Sequence, residues 1–294
     1  MTARFEGTLP ALVTPFRDGA VDEKALRELV ERQIDGGVTG LVPCGTTGES
    51  VTLSEEEHIR VVRLVVEQTK KRVPVVAGAG SVSTAHTIAL AKHCQEVGAD
   101  GLLLVCPYYN RPTQAGLEAH FRAVARACSL PTILYNIPGR TGVDLSLETL
   151  ERLADVPSIT GMKEATGNVL RSQQILAKLG DRFTVLSGDD TLTLPILAVG
   201  GKGVISVTSN LLPKETSDVV RLWNAGKIAE ARALHLRLSA VHESMFVEAN
   251  PGPVKGAMAD RGWLAKEIRL PLVWPEEKSM ERVRGALRTA GLSS

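Results

Sequence analysis

The chain has 294 residues, 44% apolar and 23% charged, which suits one large core and excludes a disordered chain. Its formal charge of +1 builds no basic field, and no Lys/Arg cluster alternates with aromatics, so nucleic acid is not an expected partner. No apolar run reaches the roughly 18–20 residues of a membrane helix, and residues 1–7 lack the apolar stretch of a signal peptide.

From the N-terminus onward, short β-branched runs alternate with amphipathic stretches. The runs at 9–13, 40–43, 73–77, 101–105, 132–135, 159–163, 184–187 and 203–207 are nearly continuous in apolar residues. That is the habit of parallel strands buried on both faces. Between them, Asp22 can cap a helix with the stripe Leu26, Leu29, Val30 and Ile34, ended by Gly36-Gly37. Ser54 and Glu57 form a capping-box pair ahead of Ile59, Val62 and Val66. Ser83, Ser146 and Asp190 hold cap-like positions before later helices. Eight strand-then-helix units without other strands predict an α/β protein, a closed (β/α)8 TIM barrel over residues 1–225, with an open doubly wound sheet as competitor. After Asn224 the strand signals stop. Helical stretches at 227–246, 253–259 and 277–289 predict a small C-terminal helical appendage, 226–294. The four cysteines (Cys44, Cys94, Cys106, Cys128) form no CxxC pair and read as reduced, mostly buried thiols of a cytoplasmic protein.

In such a barrel the chemistry sits where strands end and βα loops begin. Lys163 closes the largely apolar Thr160-Gly161-Met162. A lone lysine at a strand exit is usually solvated. An amine on a desolvated rim instead loses part of its proton affinity and suits imine formation with a ketone. Gly45-Thr46-Thr47-Gly48 offers backbone N–H groups and two hydroxyls beside an expected helix start, a receptor for a small carboxylate or simply a Gly-rich turn. Tyr109 and Tyr135, two of three tyrosines, both fall at strand ends, where a phenol can relay protons. Arg140, after Pro138-Gly139, can hold a second carboxylate or make a surface ion pair. Other patterns carry less. Gly78-Ala79-Gly80 follows a strand but lacks the third Gly of a dinucleotide fingerprint. Asp189, Asp190 and Glu164 form an alternative Mg²⁺ set, while the six histidines fit no zinc spacing, so no metal is expected.

Taken together, GTTGES (45–50), PYYNRP (107–112), YNIPGRTG (135–142), GMKEATG (161–167), GDD (188–190) and NPGPVK (250–255) resemble the dihydrodipicolinate synthase branch of the pyruvate-dependent class I aldolase family. The resemblance covers nearly the whole barrel and runs to about Met258. It implies a lyase of lysine and diaminopimelate biosynthesis that needs no cofactor beyond a covalent Schiff base with its substrate. Pyruvate would form an imine with Lys163, its carboxylate held by Thr46 and Thr47, with Gly188 and Ile205 lining its pocket. Tyr135 would shuttle protons through Thr47 to Tyr109, the latter supplied by a neighbouring subunit of a homotetramer, a dimer of dimers. The enamine would attack L-aspartate-4-semialdehyde, whose carboxylate would meet Arg140. Thr46 and Arg140 favour this branch over sister aldolases acting on N-acetylneuraminate or keto-deoxy sugar acids. A Mg²⁺-dependent barrel lyase and a non-enzymatic binding barrel are the remaining alternatives. In lysine-inhibited relatives an Asn and a Glu hold the inhibitor at a dimer-interface cleft; here those positions are Val82 and His86, implying weak or absent inhibition.

Overall fold

The apolar runs become the strands of one parallel sheet. The computed structural model describes residues 4–292; residues 1–3 of the expected barrel and its N-terminal segment, and 293–294 of the expected appendage, lie outside them. The strands are β1 (Gly7–Pro10), β2 (Phe16–Arg17), β3 (Ala20–Val21), β4 (Val76–Gly78), β5 (Gly101–Val105), β6 (Thr132–Asn136), β7 (Ile159–Glu164), β8 (Thr184–Ser187) and β9 (Gly203–Ser206). The helices are α1 (Glu23–Asp35), α2 (Glu55–Thr69), α3 (Thr84–Glu96), α4 (Gln114–Ala127), α5 (Pro138–Thr141), α6 (Leu147–Leu153), α7 (Val169–Leu179), α8 (Thr193–Ala198), α9 (Pro213–Asn224), α10 (Ile228–Ser244), α11 (Gly252–Asp260) and α12 (Glu277–Thr289).

Seven strands pair in the order β1-β9-β8-β7-β6-β5-β4, all parallel. Residues 40–43, expected as a full strand, make only two parallel bridges, Ala11 with Val42 and Leu41 with Val75. Pro43 has no amide to extend the ladder. The segment still joins the two ends of the sheet. Leu12 N donates to Val42 O and Val42 N to Pro10 O, both at 2.9 Å, while Val76 N donates to Leu41 O at 2.8 Å. The ring therefore closes as an eight-staved (β/α)8 barrel, and the open-sheet alternative falls.

Period-2 alternation then sorts the side chains. Leu9, Val42, Val76, Leu103, Ile133, Tyr135, Leu186 and Ile205 fill the barrel interior, while Leu102, Leu104, Leu134, Met162 and Val185 face the helices. Asp22, Ser54 with Glu57, Ser83 and Ser146 cap their helices as expected. Asp190 does not: Asp189 caps the 3-10 turn Asp190–Leu192 by accepting from Thr191 N at 2.8 Å. The Asp190 carboxylate is buried and accepts instead from Ser206 Oγ (2.5 Å), Val207 N (2.9 Å) and Thr208 N (3.1 Å).

The expectation of no further strands also needs correction. β2 and β3 form a small antiparallel hairpin, its turn residues Asp18 and Gly19 at φ 53 and 80. An Asp-Gly pair with both φ positive is the tight turn that matches strand twist. The expected boundary at 225/226 falls between α9 and α10; α10 packs on α9 and α12, and α11 on α12.

Candidate active site

Lys163 points inward because its neighbours on β7 point outward. Met162 packs in the outer core, and Glu164 accepts from Arg171 Nε on α7 at 3.0 Å. Strand register pairs Lys163 with Tyr135 on β6 and Leu186 on β8. Its Nζ stands 4.2 Å from the centroid of the Tyr135 ring. The lysine is only 6% exposed. Loss of water around the ammonium pulls its pKa from 10.5 down to about 7, opposed by the Asp190 charge and assisted by that of Arg140. Gly188 leaves room for this side chain. A Cβ there would lie 2.5 Å from Ala165 Cβ and 3.1 Å from Lys163 Cε. Ile205, fully buried, closes the interior nearby with Leu186 and Tyr135.

Tyr135 is 5% exposed, and burial pushes its phenol up to about 12, against the pull of Arg140 and a hydrogen bond with the Thr46 side chain. This corrects the expected relay. Thr46, not Thr47, meets Tyr135; the Thr47 hydroxyl is buried and accepts from Asn250 Nδ2 at 2.9 Å. Adjacent residues of a tight turn point to different sides, so only one threonine can face the phenol. No α-helix starts directly after the turn either. A 3-10 turn, Ser50–Thr52, intervenes, and α2 begins at Glu55.

Tyr135, Thr46, Arg140, Tyr108, Val105 and Ile137 contribute to the wall of a cavity of 390 Å³ at the C-terminal mouth of the barrel. Arg140, on the single-turn α5 opened by Pro138, stands exposed at its rim. Tyr109 does not join it within this chain: at φ 67 and 92% exposed, its side chain projects into solvent.

The competing patterns take structural roles. Glu164 faces α7, Asp190 is engaged by three donors, and Asp189 accepts from the backbone and side chain of Thr191. Those three carboxylates do not form one site, which removes the basis of the Mg²⁺ alternative. Gly78 and Gly80 serve close packing: a Cβ would lie 2.2 Å from Cys44 O and 2.5 Å from Val105 N, respectively. They let neighbouring staves approach and do not open a phosphate cradle.

Four residues that the sequence reading left without a role brace the turn. Besides Asn250, Lys255 Nζ pairs with Glu49 Oε1 at 2.5 Å, both side chains buried, and Arg269 N donates to Glu49 Oε2 at 3.0 Å. The available signal was Glu49 inside GTTGES and Lys255 inside NPGPVK, two opposite charges in otherwise uncharged motifs.

A family model described as the dihydrodipicolinate synthetase family matches residues 4–290. A protein of Geobacter sp. (strain M21) named 4-hydroxy-tetrahydrodipicolinate synthase is 54% identical over 284 residues, 97% of this chain and 98% of that one. The solved structure of the 4-hydroxy-tetrahydrodipicolinate synthase from Methylacidiphilum fumariolicum SolV superposes with a TM-score of 0.96 at 48% identity, covering 98% of this chain and 96% of that one. A dihydrodipicolinate synthase structure from Cyanidioschyzon merolae with lysine bound reaches a TM-score of 0.95 at 40% identity, covering 98% and 99%.

Proposed function

The chain belongs to the dihydrodipicolinate synthetase family, and on that premise we propose how its barrel mouth carries out the reaction. The activity is that of a 4-hydroxy-tetrahydrodipicolinate synthase, a lyase that condenses pyruvate with L-aspartate-4-semialdehyde in lysine and diaminopimelate biosynthesis. The observation that carries the mechanism is a buried amine near pKa 7, stacked beside a buried phenol, at the mouth of a closed barrel. Near neutral pH roughly half of such amines are free, against well under 1% of ordinary lysines.

The neutral Lys163 amine adds to the keto carbon of pyruvate. Tyr135, protonated throughout the neutral range, gives a proton to the departing hydroxyl, and water leaves as the imine forms. The imine draws electrons from the methyl group, which loses a proton and becomes an enamine. That carbon attacks the semialdehyde carbonyl; the substrate's own amine then closes the ring and returns Lys163 to the free state. No cofactor enters, because the protonated imine is the electron sink. We assign the pyruvate carboxylate to Thr46 and Thr47, the space beside Lys163 to Gly188 and Ile205, and the second carboxylate to Arg140, exposed at the cavity rim. Proton traffic runs from Tyr135 through Thr46. Tyr109, solvated and outside its own site, fits a role in a neighbouring subunit's site, as the homotetramer reading requires. All four cysteines are buried free thiols, as suits a reducing cytoplasm. No helix among the described residues is long and apolar enough to cross a membrane.

Borohydride with pyruvate is expected to inactivate the enzyme and leave one reduced pyruvyl group, on Lys163. Labelling of another lysine, or loss of activity to chelators and not to borohydride, overturns the mechanism.

A further inference from the structure

The segment from Asn250 to Lys255 lies far from the nucleophile in sequence, yet it touches the turn that would hold the pyruvate carboxylate. We propose that Lys255 and Asn250 are positioning residues for that turn, with the buried Lys255–Glu49 pair as its anchor; this rests on the Schiff-base reading above.

Glu49 sits at φ 53, a left-handed conformation that residues with side chains adopt only when their surroundings hold them there. What holds it is its carboxylate. One oxygen meets Lys255 Nζ at 2.5 Å and the other the Arg269 amide at 3.0 Å. Lys255 is fully buried and its Nζ also lies 4.4 Å from the centroid of the Phe16 ring, so the pair has no solvent-facing alternative. Two further contacts fix the residues just before. Thr47 Oγ1 accepts from Asn250 Nδ2 at 2.9 Å, and Gly48 O accepts from Thr14 Oγ1 at 2.7 Å. Three consecutive residues, 47 to 49, are thus gripped from outside the turn. That leaves Thr46 as the residue whose side chain faces Tyr135 and the cavity.

A buried ion pair is a weak source of net stability compared with apolar packing of the same volume, whereas removal of one partner strands a charge. The pair is therefore better explained by the geometry it enforces. A receptor for a carboxylate needs its donors held within a fraction of an ångström, and a turn braced on one side only would not keep them so.

The test uses the full-length enzyme and reads the pyruvate concentration that gives half the maximal rate of borohydride inactivation, together with that maximal rate and the Tm. Lys255→Met is expected to raise the half-saturating pyruvate by about tenfold or more and to lower the Tm. The double variant Glu49→Gln/Lys255→Met strands no charge; it should recover Tm yet keep the raised pyruvate requirement. Asn250→Ala, which touches no charge, should raise it by roughly three- to tenfold, the effect of one lost hydrogen bond. The maximal trapping rate, which reports Lys163 itself, should stay within about threefold of the parent in all three. An unchanged half-saturating concentration in the folded double variant and in Asn250→Ala overturns the proposal, as does a loss confined to the maximal rate. Should Lys255→Met alone not fold, those two variants still decide. Absence of pyruvate-dependent trapping in the parent enzyme refutes the Schiff-base reading, a different outcome from normal trapping that the variants leave unmoved.

Discussion

Lys163→Met removes the nucleophile and should make the protein more stable. Met keeps the unbranched apolar stem as far as Cε, so the packing against Tyr135 and Gly188 is largely retained. What disappears is the strain of burying an amine that would hold its proton up to pH 10.5 in the unfolded chain and holds it only to about 7 in the folded one. Between those pH values the unfolded state binds more protons, so the parent gains stability as pH rises through that window and loses it as pH falls towards 7. At pH 7 the burden on the folded parent is on the order of 4 kcal/mol, from 1.36 kcal/mol per pH unit between the two values. The variant lacks this dependence. Its advantage should be several kcal/mol at pH 7, flat below that, and nearly gone by about pH 10.5. Chemical denaturation of both proteins at matched subunit concentration, at pH 7 and pH 10, measures the gap. A variant no more stable than the parent at pH 7, or a gap that does not narrow towards pH 10, refutes the account of Lys163 as a desolvated amine.

Three further outcomes are expected. Gly188→Ala places a methyl 2.5 Å from Ala165 Cβ and 3.1 Å from Lys163 Cε, so pyruvate-dependent borohydride inactivation should slow by about tenfold or more in folded protein; an unchanged rate would mean the lysine does not need that space. Tyr109→Phe and Tyr135→Phe enzymes should each be weak and partly regain activity when unfolded together and reassembled, because mixed interfaces rebuild some intact sites; no recovery in verified mixed oligomers would place Tyr109 in the service of its own subunit. Lysine titrated against activity at neutral pH should show little inhibition at millimolar concentrations, since on the resemblance Val82 and His86 stand where an amide and a carboxylate would be needed, and His86 Nδ1 already lies 3.2 Å from Ser81 Oγ. The two missing contacts weaken binding by about two orders of magnitude, and sub-millimolar half-inhibition would contradict this.

The barrel is legible in the sequence because parallel strands buried on both faces leave uninterrupted apolar runs, as GLLLV and TILYN do. The stave at 40–43 is the exception: its runs of contact are too short to form a ladder, so composition alone overstated it. The β2–β3 hairpin was missed although Asp18-Gly19 announces a tight turn, because two-residue strands carry no periodicity. Lys163 and Tyr135 could be placed from their positions at strand ends, and Arg140 from the tight segment after Pro138-Gly139. The order of duties within Thr46-Thr47 could not, since two identical side chains are told apart only by which way a turn directs them. Glu49 and Lys255 escaped for another reason: charged residues read as surface until the partner, 206 positions away, is seen beside them.

Those long-range braces also bear on synthesis. Residues 45–50 are made early, but Asn250 and Lys255, which grip Thr47 and Glu49, follow 203 and 206 positions later. A chain emerging from the ribosome completes every strand of the described residues, through Ser206, before either partner exists. Lys163 is thus already in the chain when the partners that brace the turn beside it are still to be made. On the proposal above, the carboxylate turn takes its final geometry only in the last quarter of translation, once Asn250 and Lys255 have been added.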